Sequence, residues 1–353
     1  MEEKKLLHVF PVFKRGGTER VIEDINNYMN KKGYEINIFT SNIIDEEKLL
    51  SSGMSSYLWP YFYQKKKLFK NIKEMRKHIK NFSPDIIHTH SIYSLIVTYA
   101  AKKTLNLKVP IVHTGHGGPQ KNYDEKALKF LWMADKYIAI SSESYNFFID
   151  KGKSNVEIIQ NGISEPNNNE IVNLKENTYS KLKIAFIGRL TIQKGLDVLI
   201  RAVKILSDEG INIEVLVIGE GDSKEDYECM VADLNLTNKI DFLGSLSNPW
   251  EKVRNIPVVV MPSLWEPGGL VAMEAIARNH TLIASRVNGL RDIINDGVNG
   301  FFVEPGNTMD LSSKLKHIYK QNSYLNLTNE QKKEWLFEEN TGPALEEIYN
   351  SLQ

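Results

Sequence analysis

A run of β-branched residues followed by paired glycines and an apolar helix is the feature that most restricts the fold of this chain. Val258 to Met261 is apolar throughout, as in a parallel strand covered on both faces. Gly268-Gly269 follows, and apolar residues then recur at helical spacing: Leu270, Met273, Ile276 and Ala277. A helix beginning after such a strand exposes unpaired N–H groups, which attract anions. The stretch therefore predicts an α/β fold with an anion site at this turn.

The same succession of strand, glycine turn and helix recurs along the chain. Strand patterns end before Gly16-Gly17, before Gly188 and before Gly219. Repeated units of this kind are typical of parallel sheets with helices between the strands. Because 353 residues are long for one α/β domain and sufficient for two, we predict two Rossmann-like domains, each with its own core.

The boundary between the two domains is predicted from composition. Residues 164–180 are polar and rich in asparagine, as in an interdomain link. We place the N-terminal domain at residues 1–165 and the C-terminal domain at 166–337. A helical pattern at about 338–353 follows, and this last helix is expected to pack back on the N-terminal domain.

The composition, 42% hydrophobic and 25% charged, is that of a globular protein. A single cysteine, Cys229, excludes an intramolecular disulfide and a cysteine-based zinc site. The first residues lack the pattern of a signal peptide, and no apolar run approaches the roughly 18 to 20 residues of a spanning helix. We therefore expect a cytoplasmic protein whose membrane contact, if any, is peripheral.

The net charge of zero hides an asymmetry between the two halves. Residues 1–165 contain 25 Lys and Arg against 18 Asp and Glu, a balance of +7. The remaining 19 basic and 26 acidic residues give −7. The two predicted domains are therefore expected to meet different partners.

Much of the positive charge is concentrated in one helical pattern that follows an aromatic run beginning at Tyr57. Eight basic residues face the single acid Glu74: Lys65, Lys66, Lys67, Lys70, Lys73, Arg76, Lys77 and Lys80. An apolar stripe alternates with them at helical spacing: Leu68, Ile72, Met75 and Ile79. The stripe alone indicates an ordinary surface helix. The excess of cations predicts docking on an anionic membrane surface, and nucleic acid is not an expected partner.

Two strand-to-helix connections carry charged side chains. Arg189 and Lys194 share the connection after Leu182–Ile187, where two fixed cations could neutralise a diphosphate. Glu266 lies in the turn after Met261, and Glu274 lies within the following helix. An isolated pair of glutamates is more often a solvated residue and a first-turn helix acid than a binding site.

Histidines end two of the predicted N-terminal strands. His88 and His90 could bind a metal ion, but a polar strand end is the better interpretation because no third ligand is apparent nearby. In the next strand, alternation turns His113 toward the sheet. His116 follows at the carboxyl edge, where open α/β sheets bind ligands.

These motifs together resemble the family 4 retaining glycosyltransferases, also called glycosyltransferase group 1. Glu266 and Glu274 are separated by seven residues within PSLWEPGGLVAMEA, which is similar to the Glu-x7-Glu signature of that family. Gly188-Arg189-Leu190 with Lys194-Gly195 resembles its diphosphate-binding element. Gly-Gly-Thr-Glu-Arg near the N-terminus and Val-His-Thr-x-His ending at His116 are also similar. Gly268 departs from the family, which commonly has Phe there, a difference that concerns pocket shape rather than the backbone donors.

The resemblance implies the GT-B fold, two facing Rossmann-like domains with the active site in the interdomain cleft. It implies transfer of a sugar from a nucleotide-diphosphate sugar to a hydroxyl of a glycan or lipid-linked glycan, with retention at the anomeric carbon. The implied catalytic residues are His116, Arg189, Lys194 and Glu266. The implied donor-binding residues are Gly16, Gly17, Gly188, Arg189, Lys194, Gly219, Leu243, Ser245, Leu246, Glu266, Gly268, Gly269, Leu270 and Glu274.

Other functions remain open at this stage. A glycosyl phosphorylase or a UDP-sugar epimerase shares the architecture, and a catalytically silent sugar-nucleotide-binding protein would keep many of the same residues. An NAD-binding protein is disfavoured because Gly-x-Gly-x-x-Gly does not follow the first strand. No Asp-x-Asp occurs in the sequence, so we expect neither a metal clamp nor a cofactor, with Arg189 and Lys194 acting in place of the metal.

Overall fold

A computed structural model describes residues 4–13, 16–43, 53–117, 123–172 and 181–353. The chain divides into two compact units. The first comprises Met1–Ser164 together with Leu336–Gln353, and the second comprises Glu165–Trp335. Lys14, Arg15 and residues 173–180 of the proposed link lie outside the described residues.

The first unit contains a seven-stranded sheet in which every neighbouring pair is parallel, in the order β3-β2-β1-β4-β5-β6-β7. The strands are β1 (Lys4–Val9), β2 (Tyr34–Thr40), β3 (Met54–Leu58), β4 (Ile86–Thr89), β5 (Ile111–Gly115), β6 (Lys136–Ala139) and β7 (Val156–Ile158). The central strands are buried because helices cover the sheet.

The helices of the first unit lie between these strands. They are α1 (Gly17–Lys31), α2 (Leu68–Phe82), α3 (Ile92–Leu105), α4 (Tyr123–Leu128) and α5 (Ser142–Asp150). Ser91 and Ser141 cap the starts of α3 and α5 by accepting backbone N–H bonds from the third residue on. In α2 the expected stripe is present, with Met75 and Ile79 buried in the core.

The C-terminal helix belongs to the first unit. Residue Ile163 pairs with Leu336, and the helix α13 (Thr341–Ser351) follows. Its Tyr349 is fully buried, with its hydroxyl 2.6 Å from Nδ1 of His88 on β4. The chain thus returns to the N-terminal sheet after completing the second unit.

The second unit contains a six-stranded parallel sheet in the order β10-β9-β8-β11-β12-β13. Its strands are β8 (Leu182–Ile187), β9 (Ile213–Ile218), β10 (Ile240–Phe242), β11 (Val258–Met261), β12 (Thr281–Ser285) and β13 (Phe301–Val303). Its helices, numbered in chain order, are α6 (Leu196–Asp208), α7 (Lys224–Asp233), α8 (Pro249–Val253), α9 (Leu270–Ala277), α10 (Asn288–Arg291), α11 (Thr308–Gln321) and α12 (Asn329–Lys333). Leu199 and Val203 of α6 pack with Leu311 and Leu315 of α11 in the core.

Two local features differ from the sequence-based expectation. Strand β3 lies before the basic helix, where no strand was predicted, and it is a partly buried edge strand of its sheet. Within the proposed link, Asn168–Glu170 forms a 3-10 turn, and Glu170 is buried against the second unit. Its Oε2 accepts hydrogen bonds from Arg278 at 2.6 and 2.9 Å. A buried acid with its cationic partner fixes the position of the turn Asn168–Glu170.

None of the helices in the described part of the chain combines the length and the apolar composition that crossing a membrane requires.

Candidate functional site

The loops after β8, β9 and β10 are joined by backbone hydrogen bonds at the carboxyl edge of the second sheet. Gly188 donates its N–H to Ile218, and Gly219 donates to Gly244, at 3.0 and 2.9 Å. Leu190 donates to Glu220 at 2.9 Å. The predicted donor loops at Gly188, at Gly219 and at Leu243 to Leu246 therefore form one continuous surface, with Leu243 and Leu246 half-buried and Ser245 exposed.

Glycine is required where two of these loops meet. Gly219 has φ of +150°, and a Cβ built there would lie 1.8 Å from the carbonyl oxygen of Gly188. No side chain fits between the two backbones, so the loops after β8 and β9 approach as closely as their main chains allow. Backbone groups rather than side chains form the floor of this surface.

The turn that carries the two predicted cations is fixed to the end of β11. Ile192–Lys194 forms a 3-10 turn, and Gln193 accepts a backbone hydrogen bond from Leu264 at 2.8 Å while its side-chain amide donates to the carbonyl of Trp265 at 3.2 Å. Gly195 has φ of +65°, and a Cβ there would lie 2.1 Å from the carbonyl oxygen of Pro262. These contacts hold the two connections against each other.

This arrangement brings Lys194 and Glu266 together. Nζ of Lys194 lies 2.5 Å from Oε2 of Glu266, and Ser263 donates to the same oxygen at 3.4 Å. The carboxylate is buried, with a side chain 8% exposed, whereas the lysine side chain is 22% exposed and can still reach a ligand. Arg189 is exposed and has no carboxylate partner among the residues that the structure describes. One paired cation and one unpaired cation thus share the turn.

The turn into α9 presents backbone donors at the same edge. Gly269, at φ of +58°, precedes Leu270 without any side-chain cap, so the first N–H groups of this helix have no side-chain acceptor at the cap position. The carbonyl of Glu266 accepts the N–H of Gly289 at 3.0 Å, which fixes the preceding turn. Gly268 is half-buried, and Glu274 is buried within α9.

The glycine turn of the first unit is also formed as the pattern predicts. Gly16 is the extended residue that precedes α1, and Gly17 is the first residue of that helix. Gly16 is partly exposed and Gly17 exposed, and no side chain caps the helix. The carboxylate of Glu19 lies beside Gly16, since a Cβ built there would be 2.6 Å from its Oε2.

A row of three histidines, which we call the histidine relay, lies at the carboxyl ends of three strands: His8 is in β1, His90 directly follows β4 and His116 directly follows β5. Nδ1 of His8 lies 2.9 Å from Nε2 of His90, and Nδ1 of His90 lies 2.9 Å from Nε2 of His116. His8 and His90 are buried, whereas His116 is partly exposed. The relay therefore connects the interior of the first unit with the position predicted to meet the donor.

Two further histidines surround the relay with different partners. His88 has Nδ1 at 2.6 Å from the hydroxyl of Tyr349 and Nε2 at 2.7 Å from that of Thr114. His113 turns into the sheet as alternation predicts, and its Nδ1 lies 2.8 Å from the hydroxyl of Thr89. The strand ends are thus hydrogen-bonded polar clusters.

Burial keeps these rings neutral. Desolvation lowers the pKa of His8 to about 3, that of His113 to about 3 and that of His116 to about 4. The pKa values of His88 and His90 are also well below the usual range, through burial and through the charges of neighbouring rings. At neutral pH each imidazole in this group carries one proton.

His8, His88 and His90 stand close enough for a metal ion, since one ring nitrogen from each lies within 4.8 Å of the others. Hydroxyl groups already occupy both nitrogens of His88, and Nδ1 of His8 is bonded to His90. The hydrogen bonds account for these nitrogens without an ion. His8 was not among the candidates from the sequence, because the register of β1 with β4 creates its contact with a residue 82 positions away.

Comparison with known proteins connects this site to a family. The model of the family described as "Glycosyl transferases group 1" matches residues 168–335, and that of "Glycosyltransferase Family 4" matches residues 15–165. The chain belongs to the group 1, family 4 glycosyltransferases. The resemblance found in the sequence is therefore confirmed, and Lys194, Glu266 and Glu274 lie within the group 1 match.

Individual relatives agree with the assignment. An uncharacterized glycosyltransferase of Methanocaldococcus jannaschii is 29% identical over 340 residues, 93% of this chain and 88% of that protein. Another from the same organism is 42% identical over 127 residues, which are 35% of this chain and 32% of that one. The crystal structure of Anabaena HepE in complex with UDP and glucose has a TM-score of 0.82 at 19% identity and covers 99% of this chain and 100% of that one. This glycosyltransferase therefore has the GT-B fold.

The close approach at Gly195 generates a stability prediction. Alanine at a left-handed position costs roughly 1 to 2 kcal/mol, so Gly195→Ala and Gly210→Ala share that cost. Gly210 has φ of +78° with open space around it, whereas Gly195 faces the carbonyl of Pro262. Urea unfolding should show Gly195→Ala to be clearly the less stable variant. Equal midpoints would mean that the turn is not held against the end of β11.

Proposed function

We propose that this glycosyltransferase moves a sugar from a nucleotide-diphosphate sugar to a hydroxyl of a glycan or lipid-linked glycan, with retention at the anomeric carbon and without a metal ion. The observation that carries the proposal is the pairing of Lys194 with Glu266 beside the exposed Arg189 at one sheet edge. Cations fixed where a diphosphate leaves are suited to stabilise its developing charge. The crystallised UDP complex of the structurally similar HepE supports a nucleotide donor.

The ion pair gives Lys194 a defined position before the donor arrives. Glu266 holds the ammonium group, and the diphosphate then competes for it as a second anion. When Lys194 binds phosphate oxygens, the buried carboxylate loses its partner and becomes a hydrogen-bond acceptor for sugar hydroxyls. Donor binding and sugar recognition are thereby linked through one residue pair. This role for Glu266 agrees with the sugar contact that family resemblance implies.

The remaining donor contacts follow from the loop surface. Glu274 accepts hydrogen bonds from the ribose hydroxyls, and the loops at Gly219 and at Leu243 to Leu246 flank the base. Backbone N–H groups near Gly269 and Gly17 add neutral donors for the diphosphate. Such a site is preorganised because its donors belong to turns fixed by backbone hydrogen bonds.

In the proposed reaction the anomeric carbon exchanges one oxygen for another on the same face. The bond to the diphosphate oxygen breaks, and the bond to the acceptor oxygen forms. The proton of the acceptor hydroxyl passes to the leaving phosphate oxygen, so charge and atoms balance without an external base. Arg189 and Lys194 stabilise the diphosphate while it departs.

A panel of UDP-, GDP- and ADP-sugars with candidate glycan acceptors tests the function directly. We expect transfer from one donor to form a glycoside with retained configuration and to release a nucleoside diphosphate. Glycoside formation from a sugar 1-phosphate would identify a phosphorylase instead. Interconversion of the donor sugar would identify an epimerase, and saturable donor binding without turnover would identify a silent binding protein.

The two cations of the turn generate a kinetic prediction. Arg189→Met and Lys194→Met should each lower kcat/KM by about 2 to 4 kcal/mol of transition-state stabilisation, the effect of losing one electrostatic group from a preorganised site. Lys316→Met is the matched control, because Lys316 pairs with Glu209 on a different part of the second unit. EDTA should leave the wild-type rate unchanged. A large loss of rate in EDTA would contradict the proposed neutralisation by side chains.

We further propose that the basic helix α2 docks the enzyme on an anionic membrane surface, where a lipid-linked acceptor would be found. The charge is available on the outside of the unit, because most basic residues of α2 and of the 3-10 turn Lys65–Lys67 before it are exposed: Lys65, Lys66, Lys70, Lys73, Lys77 and Lys80. Large apolar side chains accompany them. Phe69 is 87% exposed and Tyr63 55% exposed. Cations beside exposed aromatic rings suit the headgroup region of a bilayer.

Vesicle binding checks this surface. Each basic residue contributes about 1 kcal/mol near an anionic bilayer, so changing Lys65, Lys66 and Lys67 to Ser should abolish most binding at low salt. Changing Lys204, Lys224 and Lys316 to Ser removes the same charge elsewhere and should leave binding intact. Phe69→Ala should lower the binding that persists at high salt. Equal cosedimentation with anionic and neutral vesicles would contradict the docking surface.

A further inference from the structure

The histidine relay places two buried imidazoles behind His116, the one member that reaches the surface. The three rings are joined by nitrogen-to-nitrogen contacts of 2.9 Å, from Nδ1 of His8 to Nε2 of His90 and from Nδ1 of His90 to Nε2 of His116. His8 and His90 are 0% and 3% exposed. Neither buried ring has a role in the proposed donor binding or sugar transfer.

Because the three rings are neutral, both hydrogen bonds of the histidine relay must run in the same direction. A neutral imidazole has one N–H donor and one bare acceptor nitrogen, so each contact in the row needs a donor on one side and an acceptor on the other. The tautomer of one ring therefore determines the tautomers of the other two. Only two arrangements are possible, one with every proton on Nδ1 and one with every proton on Nε2.

The inner end of the row distinguishes these arrangements. Nε2 of His8 is buried and has no hydrogen-bond partner among the described residues. With all protons on Nε2, this atom would be a buried N–H donor without an acceptor. With all protons on Nδ1, it would be a bare lone pair. Orphaned N–H groups are rare in protein interiors, and leaving one unpaired costs about 1 to 3 kcal/mol.

Two other buried histidines of this protein follow the same rule. Nδ1 of His280 lies 2.8 Å from the carbonyl of Ile256, which can only accept, and its buried Nε2 has no described partner. His113 contacts Thr89, whose hydroxyl donates to Val112, so Nδ1 of His113 is the donor. Its Nε2 also has no described partner. In both rings the unpartnered nitrogen is the bare one.

We propose that His90, whose hydrogen-bonded row ends at His8 without a buried acceptor, fixes His116 as the Nδ1–H tautomer, so that His116 presents a hydrogen-bond donor rather than a proton acceptor. His90 is therefore a positioning residue for His116. The role of that donor toward an oxygen of the bound sugar nucleotide rests on the proposed function, whereas the tautomer itself does not. Nδ1 of His116 has no partner among the described residues and is the nitrogen left for a ligand.

The neighbouring His88 does not belong to this row. Its nitrogens contact the hydroxyls of Tyr349 and Thr114, either of which can donate or accept. The ring of His88 packs 4.2 Å from that of His90, centroid to centroid, and thereby limits the movement of the middle member. A metal ion bound by His8 and His90 would instead break the contact between them.

Long-range proton–nitrogen NMR of the ligand-free, 15N-histidine-labelled protein measures the tautomer directly. The His116 signals are assigned by their loss in His116→Gln. We expect Nδ1 of His116 to carry the proton in the wild type, although an isolated histidine side chain favours Nε2–H. A wild-type His116 protonated at Nε2 would overturn the proposal without any variant. So would displacement of the His8 and His90 signals by one equivalent of Zn²⁺, which would identify a metal site.

Two substitutions in the row test the cause. His90→Leu removes the partner of Nε2 of His116 and should shift His116 toward Nε2–H, the form that an isolated side chain favours. His8→Leu leaves Nε2 of His90 as the buried nitrogen without a partner, so it should retain the wild-type tautomer. His113→Leu, which removes another fully buried histidine of the same sheet, should leave His116 unchanged. A folded His90→Leu variant with a wild-type tautomer would overturn the role of His90.

Transfer assays then separate this inference from the proposed function. His90→Leu should lower kcat/KM about tenfold, close to the effect of one misdirected hydrogen bond, and His8→Leu should keep most of the wild-type rate. If the expected tautomers are found but no sugar is transferred, the proposed function fails and the relay stands. If transfer occurs and His90→Leu alters neither tautomer nor rate, the relay fails alone.

Discussion

All neighbouring strands in both sheets run in the same direction, and the candidate site depends on this constraint. In a parallel sheet every strand ends at the same edge, where the following helices begin with unpaired N–H groups. In the second unit that edge carries the loops after β8, β9, β10 and β11, and backbone hydrogen bonds join them. The chemistry of the enzyme is therefore built on main-chain positions that the sheet itself determines.

Only a few side chains bring charge to the candidate site at this sheet edge. Lys194 is held by the buried carboxylate of Glu266, while Arg189 remains exposed beside it. An ion pair with one buried member is costly to leave incomplete, so under the proposed function the sugar hydroxyls must compensate Glu266 when the diphosphate takes Lys194. In the first unit the histidines supply the opposite case, a neutral hydrogen-bonded row with pKa values lowered by burial. Packing at the strand ends thus holds the Lys194–Glu266 ion pair in one unit and keeps the histidines neutral in the other.

The sequence predicted what local patterns determine and missed what only register determines. The bounds of β8 and β11 agree with the sequence-based strands, because apolar runs end there at clear turn signals. Strand β3 was missed because its serines and tyrosine form a half-exposed edge without an apolar run. The contact between His8 and His90 depends on strand pairing across 82 residues. The burial of Glu170 likewise requires Arg278, more than a hundred residues away.

The central claim is that a nucleoside diphosphate binds at the carboxyl edge of the second sheet. Hydrogen exchange measured with and without UDP, GDP or ADP tests it most directly, because backbone N–H groups are the proposed ligands. With the nucleotide that binds, we expect slower exchange in segments 188–195, 219–221, 243–246 and 265–270, and unchanged exchange at the opposite edge in segments 209–212 and 279–280. Protection confined to that opposite edge, or to the first unit, would contradict the account.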